Sequence, residues 1–533
     1  MSSFPGVAAY FAASLLVCPV AWVLADTPYF RAASGDHEAY NAGAYGDKPN
    51  QTYHSSELRS PRFLINAWRP EAMSNESHIL ISPSVSNQDR SPMIFSAKDL
   101  SLVYADPTWG GGSNPKLQTF NGTKYLTIWT GSDMKGWGTG GGLIIDESYN
   151  MLYNITTNGL PTGADNHEFE LTHDGGAMLN NYHTKTYNVT SVGGSEDGRI
   201  QDCAFQEIDV VTGEVRFEWH ATDHFELTES FGDTYHDSEN GWDWFHMNSI
   251  FKTLDGNYLI SSRHLRTLAL INGTDGSRIW QVGGKNNMFE DLSDGKATNF
   301  AYQHHARFVD ESYTVGDSSA EITFYNNQVM HPSSPSPGCE NDCSRAMRIA
   351  LDFDAMTVRL VREFYHPRSV QAWAQGGYHS LPNGNALISW GTVPAVTEFT
   401  LSGEVAMDIQ FGPWSDAWDG LATSYRVYKS NFRAQPPWPP SIAAFDSIIY
   451  VSWNGATEVV SWAVSGGNDP LTLQGITQVE KKGFETAIPP PSNASYFRID
   501  ALNSAGNVLA STDVVELATG TILAGKRLPK YVK

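Results

Sequence analysis

A β-rich run, a Gly-containing turn and a second β-rich run recur along most of this chain, and that repeated hairpin constrains the fold more than any other feature. Its clearest copies are PKLQTFNGTKYLTIWTG (115–131), HEFELTHDGGAMLNNYH (167–183), MNSIFKTLDGNYLISSRH (247–264) and GGYHSLPNGNALISWG (376–391). Each pairs an apolar strand with a second across Asn-Gly, Asp-Gly or a near equivalent, the dipeptides that reverse a chain tightly. LALINGTDGSRIWQVGG (268–284) and VTEFTLSGEVAMDI (396–409) then supply an outer hairpin. Units of about 40 to 70 residues with roughly four short strands each predict an all-β chain built as a β-propeller, and Ile79 to about Phe432 allows about six blades. A β-sandwich with long insertions is the alternative, but it leaves the recurring hairpin unexplained. The final strand of the ring is expected from YRVYKSNF (425–432).

With 533 residues the chain can hold more than one domain. Residues 26–73 are polar and irregular, an arm expected to pack across the propeller of residues 74–434. Gln435-Pro436-Pro437-Trp438-Pro439-Pro440 is a stiff break. Beyond it, alternating runs separated by polar turns predict a small immunoglobulin-like or fibronectin-like sandwich over 435–520. Residues 521–533 end in a basic tail.

The formal charge of −23 argues against a nucleic-acid partner, which needs a basic footprint to displace counterions from phosphate. Residues 1–25 contain no Asp, Glu, Lys or Arg and read as a signal peptide ending at Val23-Leu24-Ala25. An uncleaved anchor is the alternative, and stable membrane association is expected only in that case. Seven sequons follow, at Asn50, Asn75, Asn121, Asn154, Asn188, Asn272 and Asn493, so passage through a eukaryotic secretory route to the extracellular space is expected. In that compartment Cys339 and Cys343 of GCENDC can close a small disulfide loop, leaving Cys203 as a buried thiol.

Between Asp243 and Arg307 four histidines (His246, His264, His304, His305) join Asn248 and Arg263 at the edges of short strand-like runs. Grouping such side chains costs stability unless each finds a partner, and strand ends are where a rigid scaffold presents functional groups. A catalytic site is the reading these residues favour over a set of unrelated structural histidines. The acidic run Asp223 to Asp243 matches no loop with defined cation-ligand positions and reads as a solvated insertion.

ATDHFELTESF (221–231), DWFHMNSI (243–250), GNYLISSRH (256–264), IWQVGGK (279–285), QHHAR (303–307) and LPNGNALISWG (381–391), in this order, resemble the arylsulfotransferase (aryl-sulfate sulfotransferase) family, in particular its fungal and plant branch. SWNGATEV (452–459) is similar to that branch too. The resemblance implies a six-bladed propeller that moves a sulfuryl group between phenols through a sulfated histidine, without a nucleotide donor. It places the nucleophile on His304, further catalytic histidines on His246 and His167, and sulfate-binding groups on Asn248 and Arg263, with His305 beside them. Adjacent strand residues face opposite sides, so one of His304 and His305 is expected to face the channel. The expected partners are small phenolic substrates, in secondary metabolism, with no cofactor and no metal. A non-catalytic binding glycoprotein and a metal-dependent hydrolase are the competing readings. Trp242, Trp244 and Tyr302 are candidates for stacking on a phenol, each of which could equally serve as core or rim packing.

Overall fold

The turns that join the strands show why the sequence folds as hairpins. THDGG (172–176) and TLDGN (253–257) close in the same way. In the second, Thr253 and Asn257 bond across the turn (Thr253 N–H to Asn257 O, 2.8 Å), and the Thr253 hydroxyl donates to Asp255 Oδ1 at 2.5 Å and accepts from Asn257 N–H at 2.9 Å. Gly256 sits at φ +87°, a left-handed conformation that a side chain would strain. The computed structural model describes residues 25–31, 36–84, 90–133, 136–232, 235–330, 339, 343–414 and 422–523. The signal-like segment and most of the basic tail lie outside them.

The chain is all-β, and among the described residues six sheets each contain a four-stranded antiparallel meander. Sheet 1 runs Tyr428–Ser430, His78–Ile81, Met93–Ser96 and Leu102–Ala105, so its first strand comes from far along the chain. Sheet 2 is Ser113–Phe120, Thr123–Asp133, Gly138–Ile145 and Met151–Ile155; sheet 3 is Phe169–Leu171, Gly176–Tyr187, Gly198–Asp209 and Val215–His220. Sheet 4 is Met247–Lys252, Tyr258–Ser262, Thr267–Ile271 and Arg278–Gly283. Sheet 5 is His304–Phe308, Ser319–Asn326, Arg345–Asp352 and Thr357–Tyr365, edged by Glu290–Asp291. Sheet 6 is Gly377–Ser380, Ala386–Ser389, Ala395–Phe399 and Val405–Gln410.

Apolar clusters lie between consecutive sheets. Leu80 and Ile94 meet Ile128 and Leu143, Phe120 and Ile144 meet Phe169 and Leu179, and Met178 and Phe205 meet Ile250 and Ile260. Leu259 and Leu268 meet Phe308 and Ile322, Tyr325 and Phe364 meet Tyr378 and Ile388, and Val396 and Ile409 return to Ile79 and Phe95 of sheet 1. Strand Thr267–Ile271 shows the consequence for sequence: Ala269 and Ile271 face sheet 3 while Leu268 and Leu270 face sheet 5. Both faces are covered, so these strands read as unbroken apolar runs and do not alternate with polar residues.

The N-terminal arm differs from the irregular segment its composition suggests. Phe63–Trp68 pairs antiparallel with Val405–Gln410, and Tyr29–Arg31 adds in parallel, making sheet 6 six-stranded. After the Pro-rich break, Ser441–Phe445, Ile448–Ser452 and Glu485–Ile488 form a sheet facing a second one around Trp453, Trp462 and Phe497. Asn454 exchanges two hydrogen bonds with Ala105, and Tyr149 donates to Gly455 O, fixing this unit to sheets 1 and 2.

Cys339 and Cys343 form the disulfide, with Cα atoms 4.7 Å apart, and Cys203 is a buried thiol accepting Met247 N–H. Asn50, Asn75, Asn121, Asn154, Asn188 and Asn493 are exposed and Asn272 is partly so. No helix among the described residues is long and apolar enough to cross a membrane.

Candidate active site

The first strands of the six sheets begin around one cavity of about 110 Å³. Ser113 reaches it from sheet 2, His167 from the approach to sheet 3, His246 and Arg263 from sheet 4, and His304 from sheet 5. Gln375 and Tyr425 reach it from the segments entering sheets 6 and 1. The backbone is bent to do this. Pairing registers shift between Met247 and Ser249 and between His304 and Arg307, the bulges that re-aim side chains beside functional sites. His246, Tyr302, His305 and Gln375 all have positive φ (+54°, +59°, +57° and +65°), a conformation that bulky residues keep only where surrounding contacts hold it.

His304 is 1% exposed, and its hydrogen bonds settle its tautomer. Asn327 Nδ2 donates to the carbonyls of Ala372 (2.9 Å) and Gln375 (3.1 Å), so its Oδ1 must accept, and it lies 2.8 Å from His304 Nδ1. Tyr302 O lies at 2.8 Å from the same nitrogen. Nδ1 therefore carries the proton and Nε2 the lone pair, which meets Gln375 N–H at 3.2 Å. Burial, and then the Arg263 charge, push His304 well below the usual histidine range, so it is neutral at neutral pH.

Arg263 makes no ion pair among the described residues; its Nε has no hydrogen-bond partner, and the guanidinium lies over the Tyr302 ring at 4.1 Å. A desolvated cation without a carboxylate is a ready anion site. His246 Nδ1 lies 2.5 Å from Asp243 Oδ2, His167 Nδ1 lies 2.5 Å from Asp165 Oδ1, and the two Nε2 atoms face each other at 3.2 Å. Burial, Arg263 and His167 push His246 well down.

Asn248 and His305 do not line the cavity. Asn248 donates to Gln303 O at 2.7 Å, bracing the strand that carries His304. His305 turns the other way, with Nε2 at 3.4 Å from the Tyr428 hydroxyl. The two neighbours do diverge, but the left-handed His305 backbone in a bulge accomplishes it, not regular strand alternation. Below them Glu168 binds Arg307 (2.7 Å) and Arg426 (2.9 Å), with Lys116 and Glu170 completing a buried ion cluster across the inner strands. Trp242 and Trp244 are packed into the apolar core between sheets 3 and 4, while Tyr302 stays beside Arg263.

Two sets of side chains bring ligand atoms within 4.8 Å of one another, Asp243/His246/His264 and His183/Asp202/His220. Hydrogen bonds and ion pairs engage members of both. His264 Nδ1 donates to Asp243 O at 2.7 Å, and Asp202 is bridged by Lys185 at 3.1 Å and His220 at 2.9 Å, while His220 also meets Glu218 at 3.1 Å. A wider hollow of about 340 Å³ between Phe308 and Glu321 is lined by Asp310, Asp317, Glu321 and hydroxyl groups, with no cation to attract an anion.

Asp165, Asp243, Asn327, Gln375 and Tyr425 are the site residues that motif reasoning passed over. Asp-x-His at 165–167 and Asp-x-x-His at 243–246 are a usable signal, since buried histidines commonly take an orienting carboxylate. Asn327 and Gln375 carry none, because their roles depend on backbone turns.

The all-β scaffold brings a neutral, tautomer-fixed histidine at the start of one inner strand to the same cavity as an arginine that follows the end of strand Tyr258–Ser262, an arrangement suited to group transfer. The family model for arylsulfotransferase (ASST) matches residues 116–412, and the chain belongs to that family. Membership supports a sulfuryl-transfer-like function. Among solved structures the chain is similar to a protein of unknown function from Bacteroides caccae (13% identity, 66% of this chain and 98% of that one, TM-score 0.38). It is also similar to a protein from Lactobacillus plantarum (11% identity, 78% and 99%, TM-score 0.33) and to the hydrazine synthase of Kuenenia stuttgartiensis (10%, 58% and 71%, TM-score 0.32). Comparison with curated proteins returned no match.

Proposed function

We propose that this chain is a secreted, glycosylated enzyme that moves a sulfuryl group from an aryl sulfate to a second phenol through a sulfohistidine on His304. The observation that carries the reading is that His304 Nε2, bearing the lone pair, and Arg263, lacking a carboxylate, border the same cavity. Neutral imidazole is a competent nucleophile near neutral pH. Nε2 attacks sulfur, the S–O bond to the phenol breaks, and the adduct keeps its Nδ1 proton. The ring is then cationic, and a cationic imidazole leaves readily when the acceptor oxygen attacks the same sulfur. Arg263 offers two donors to the sulfuryl oxygens, and Gln375 N–H, which occupies the Nε2 lone pair at rest and is released as Nε2 bonds to sulfur, offers a third. At about 30 Å³ per water, the cavity has room for about four waters, enough for a tetrahedral anion but not for its aromatic ring. The ring then lies outside that space, where Tyr425 on the cavity wall is the aromatic side chain available to it.

The six-bladed propeller spans residues 74–434 in this reading, after an arm of 26–73 and before an immunoglobulin-like sandwich of 435–520. Six meanders with a shared apolar cluster between each consecutive pair support the ring. Surface-accessible sequons, the disulfide and the uncharged N-terminal segment support secretion. SWNGATEV supports the fungal and plant branch, and phenols as both donor and acceptor suit secondary metabolism. Intact-mass measurement after incubation with an aryl sulfate tests the function. The expected result is a gain of one sulfuryl group that a phenol removes and that His304→Ala never shows; no adduct on the unaltered chain with any aryl sulfate would defeat it.

A further inference from the structure

We propose that Asp165, His167, His246 and Asp243 act as one proton-holding unit serving the departing and the arriving phenol in turn, and that the donors of this site are sulfates of electron-rich phenols. The inference rests on the sulfuryl-transfer reading and goes beyond it in naming where the proton is kept and which leaving groups need it.

The argument is a count of protons. The unit is a chain of three contacts: Asp165 to His167 at 2.5 Å, His167 to His246 at 3.2 Å, and His246 to Asp243 at 2.5 Å. Each contact is a hydrogen bond only if it contains a proton. Two carboxylates and two neutral imidazoles bring two protons, one per ring. With both spent on the carboxylates, the two Nε2 lone pairs would face each other at 3.2 Å in a buried site, a repulsive arrangement. A third proton closes the chain, wherever along it that proton sits, and leaves the unit with a net charge of about −1. Backbone geometry supports the carboxylate end, because Gly138 N–H (2.6 Å) and His167 N–H (3.0 Å) both donate to Asp165.

His167 and His246 both line the cavity that His304 Nε2 faces, so the third proton lies beside the bond that breaks. The unit is faced by Arg263 and His264 from sheet 4, Tyr182 from sheet 3, Tyr425 from the segment entering sheet 1 and His304 from sheet 5, with Arg90 and Asp133 also on the cavity wall. In the first half-reaction Nε2 of His304 bonds to sulfur, the S–O bond breaks with its electron pair on oxygen, and the phenoxide takes the third proton to leave as phenol. The unit is then one proton short. In the second half-reaction the acceptor phenol returns a proton to it as its oxygen bonds to sulfur and the S–N bond breaks. A nitrophenoxide leaves without a proton, whereas an electron-rich phenoxide does not, so the first half-reaction needs the unit only for donors of the second kind. After a nitrophenoxide has left, the unit is still full and the acceptor phenol gives its proton to solvent.

Asp243→Asn is the informative variant: its amide oxygen still accepts from His246, its NH₂ falls where Asp243 Oδ1 has no partner, and the charge holding the third proton is gone. On phenyl sulfate kcat/KM is expected to fall about 100-fold or more, within the range that general acid–base catalysis supplies. On nitrophenyl sulfate the loss is expected to stay under about tenfold. The high-pH limb for phenyl sulfate is expected to move down by about one to three units, as removal of a neighbouring charge predicts. Equal losses on both donors, or none on either, would overturn the proposal. The proton count is read separately by ¹⁵N-histidine NMR on the full-length unaltered chain, where one of the two facing Nε2 atoms of His167 and His246 is expected to carry a proton. Two bare Nε2 atoms would end the proposal even if transfer occurs. A proton on one of the facing Nε2 atoms in a chain that takes no sulfuryl group would uphold the unit, and would end the donor assignment together with the transfer reading.

Discussion

Asn327 Oδ1 and His304 Nδ1 lie 2.8 Å apart, and the asparagine is locked in that orientation by two backbone carbonyls that can only accept. The strand-end asparagine thereby decides which nitrogen of the reactive ring carries the lone pair. Asn327→Ala frees the ring to exchange tautomers and leaves the buried Ala372 carbonyl and the partly buried Gln375 carbonyl short of a donor. The rate of adduct formation is expected to fall about 10- to 100-fold, the usual cost of losing an orienting partner. Stability should fall by about 1–3 kcal/mol. Intact mass against time and a denaturant titration measure the two effects, and an unchanged rate would show that the tautomer does not need this residue.

His304→Ala and His305→Ala should separate cleanly. Removing His304 removes the covalent intermediate, whereas His305 points into the ion cluster around Glu168, away from the cavity. His305→Ala should leave the adduct detectable and cost mainly stability. The reverse pattern in intact-mass spectra would move the nucleophile by one residue.

Arg263→Gln tests the anion site by setting activity against stability. The guanidinium is desolvated and has no ion pair with a carboxylate among the described residues, so burial already pushes its pKa down, with only partial compensation from Tyr302 and Asp243. Taking the charge away should leave the melting temperature unchanged or raise it. Transfer should drop about 100- to 1,000-fold, the cost of losing a donor to a charged transition state. A variant that melts early and still transfers would assign the arginine to structure.

The hairpin repeat was legible because turn chemistry is local: Thr-x-Asp-Gly fixes its own reversal at residues 172–175 and 253–256 without help from the rest of the molecule. His167, His246, Arg263 and His304 were legible as a group because they stand at strand ends in motifs carried by the family resemblance, and they do share one cavity. Asn248 was read as a ligand; its Nδ2 donates to Gln303 O, a contact between two sheets that no local pattern encodes, and its Oδ1 has no hydrogen-bond partner. The strands of the N-terminal arm were missed for a related reason. Phe63–Trp68 is a strand because Val405–Gln410 offers it an edge more than 300 residues later, and its own composition says little.

Acid should destabilise this protein early. Burial pushes His264 down to about 3 and His78 and His379 down to about 4, and it drives His304 and His305 well down too. In the unfolded chain each would take up a proton near pH 6.5. Below that value the unfolded state binds more protons than the native one, so this contribution is complete above about pH 6.5 and is lost as pH falls toward the folded values. His220 works the other way: its bond to Asp202 raises it, giving stability that is present below about pH 6.5 and lost as pH rises. Outside the Asp165–His167–His246–Asp243 unit, it is one group against several. Each histidine kept neutral costs about 1.4 kcal/mol per pH unit in that window, so the melting temperature should drop by several degrees per unit between about pH 6.5 and 5. Below about pH 4.5 the fall should steepen: although burial alone would raise Glu168, Arg307 and Arg426 outweigh it and hold the carboxylate well below its usual range. A melting temperature that stays flat or rises from pH 7 to 5 would mean that water or a bound anion reaches these histidines and lets them charge in the folded state.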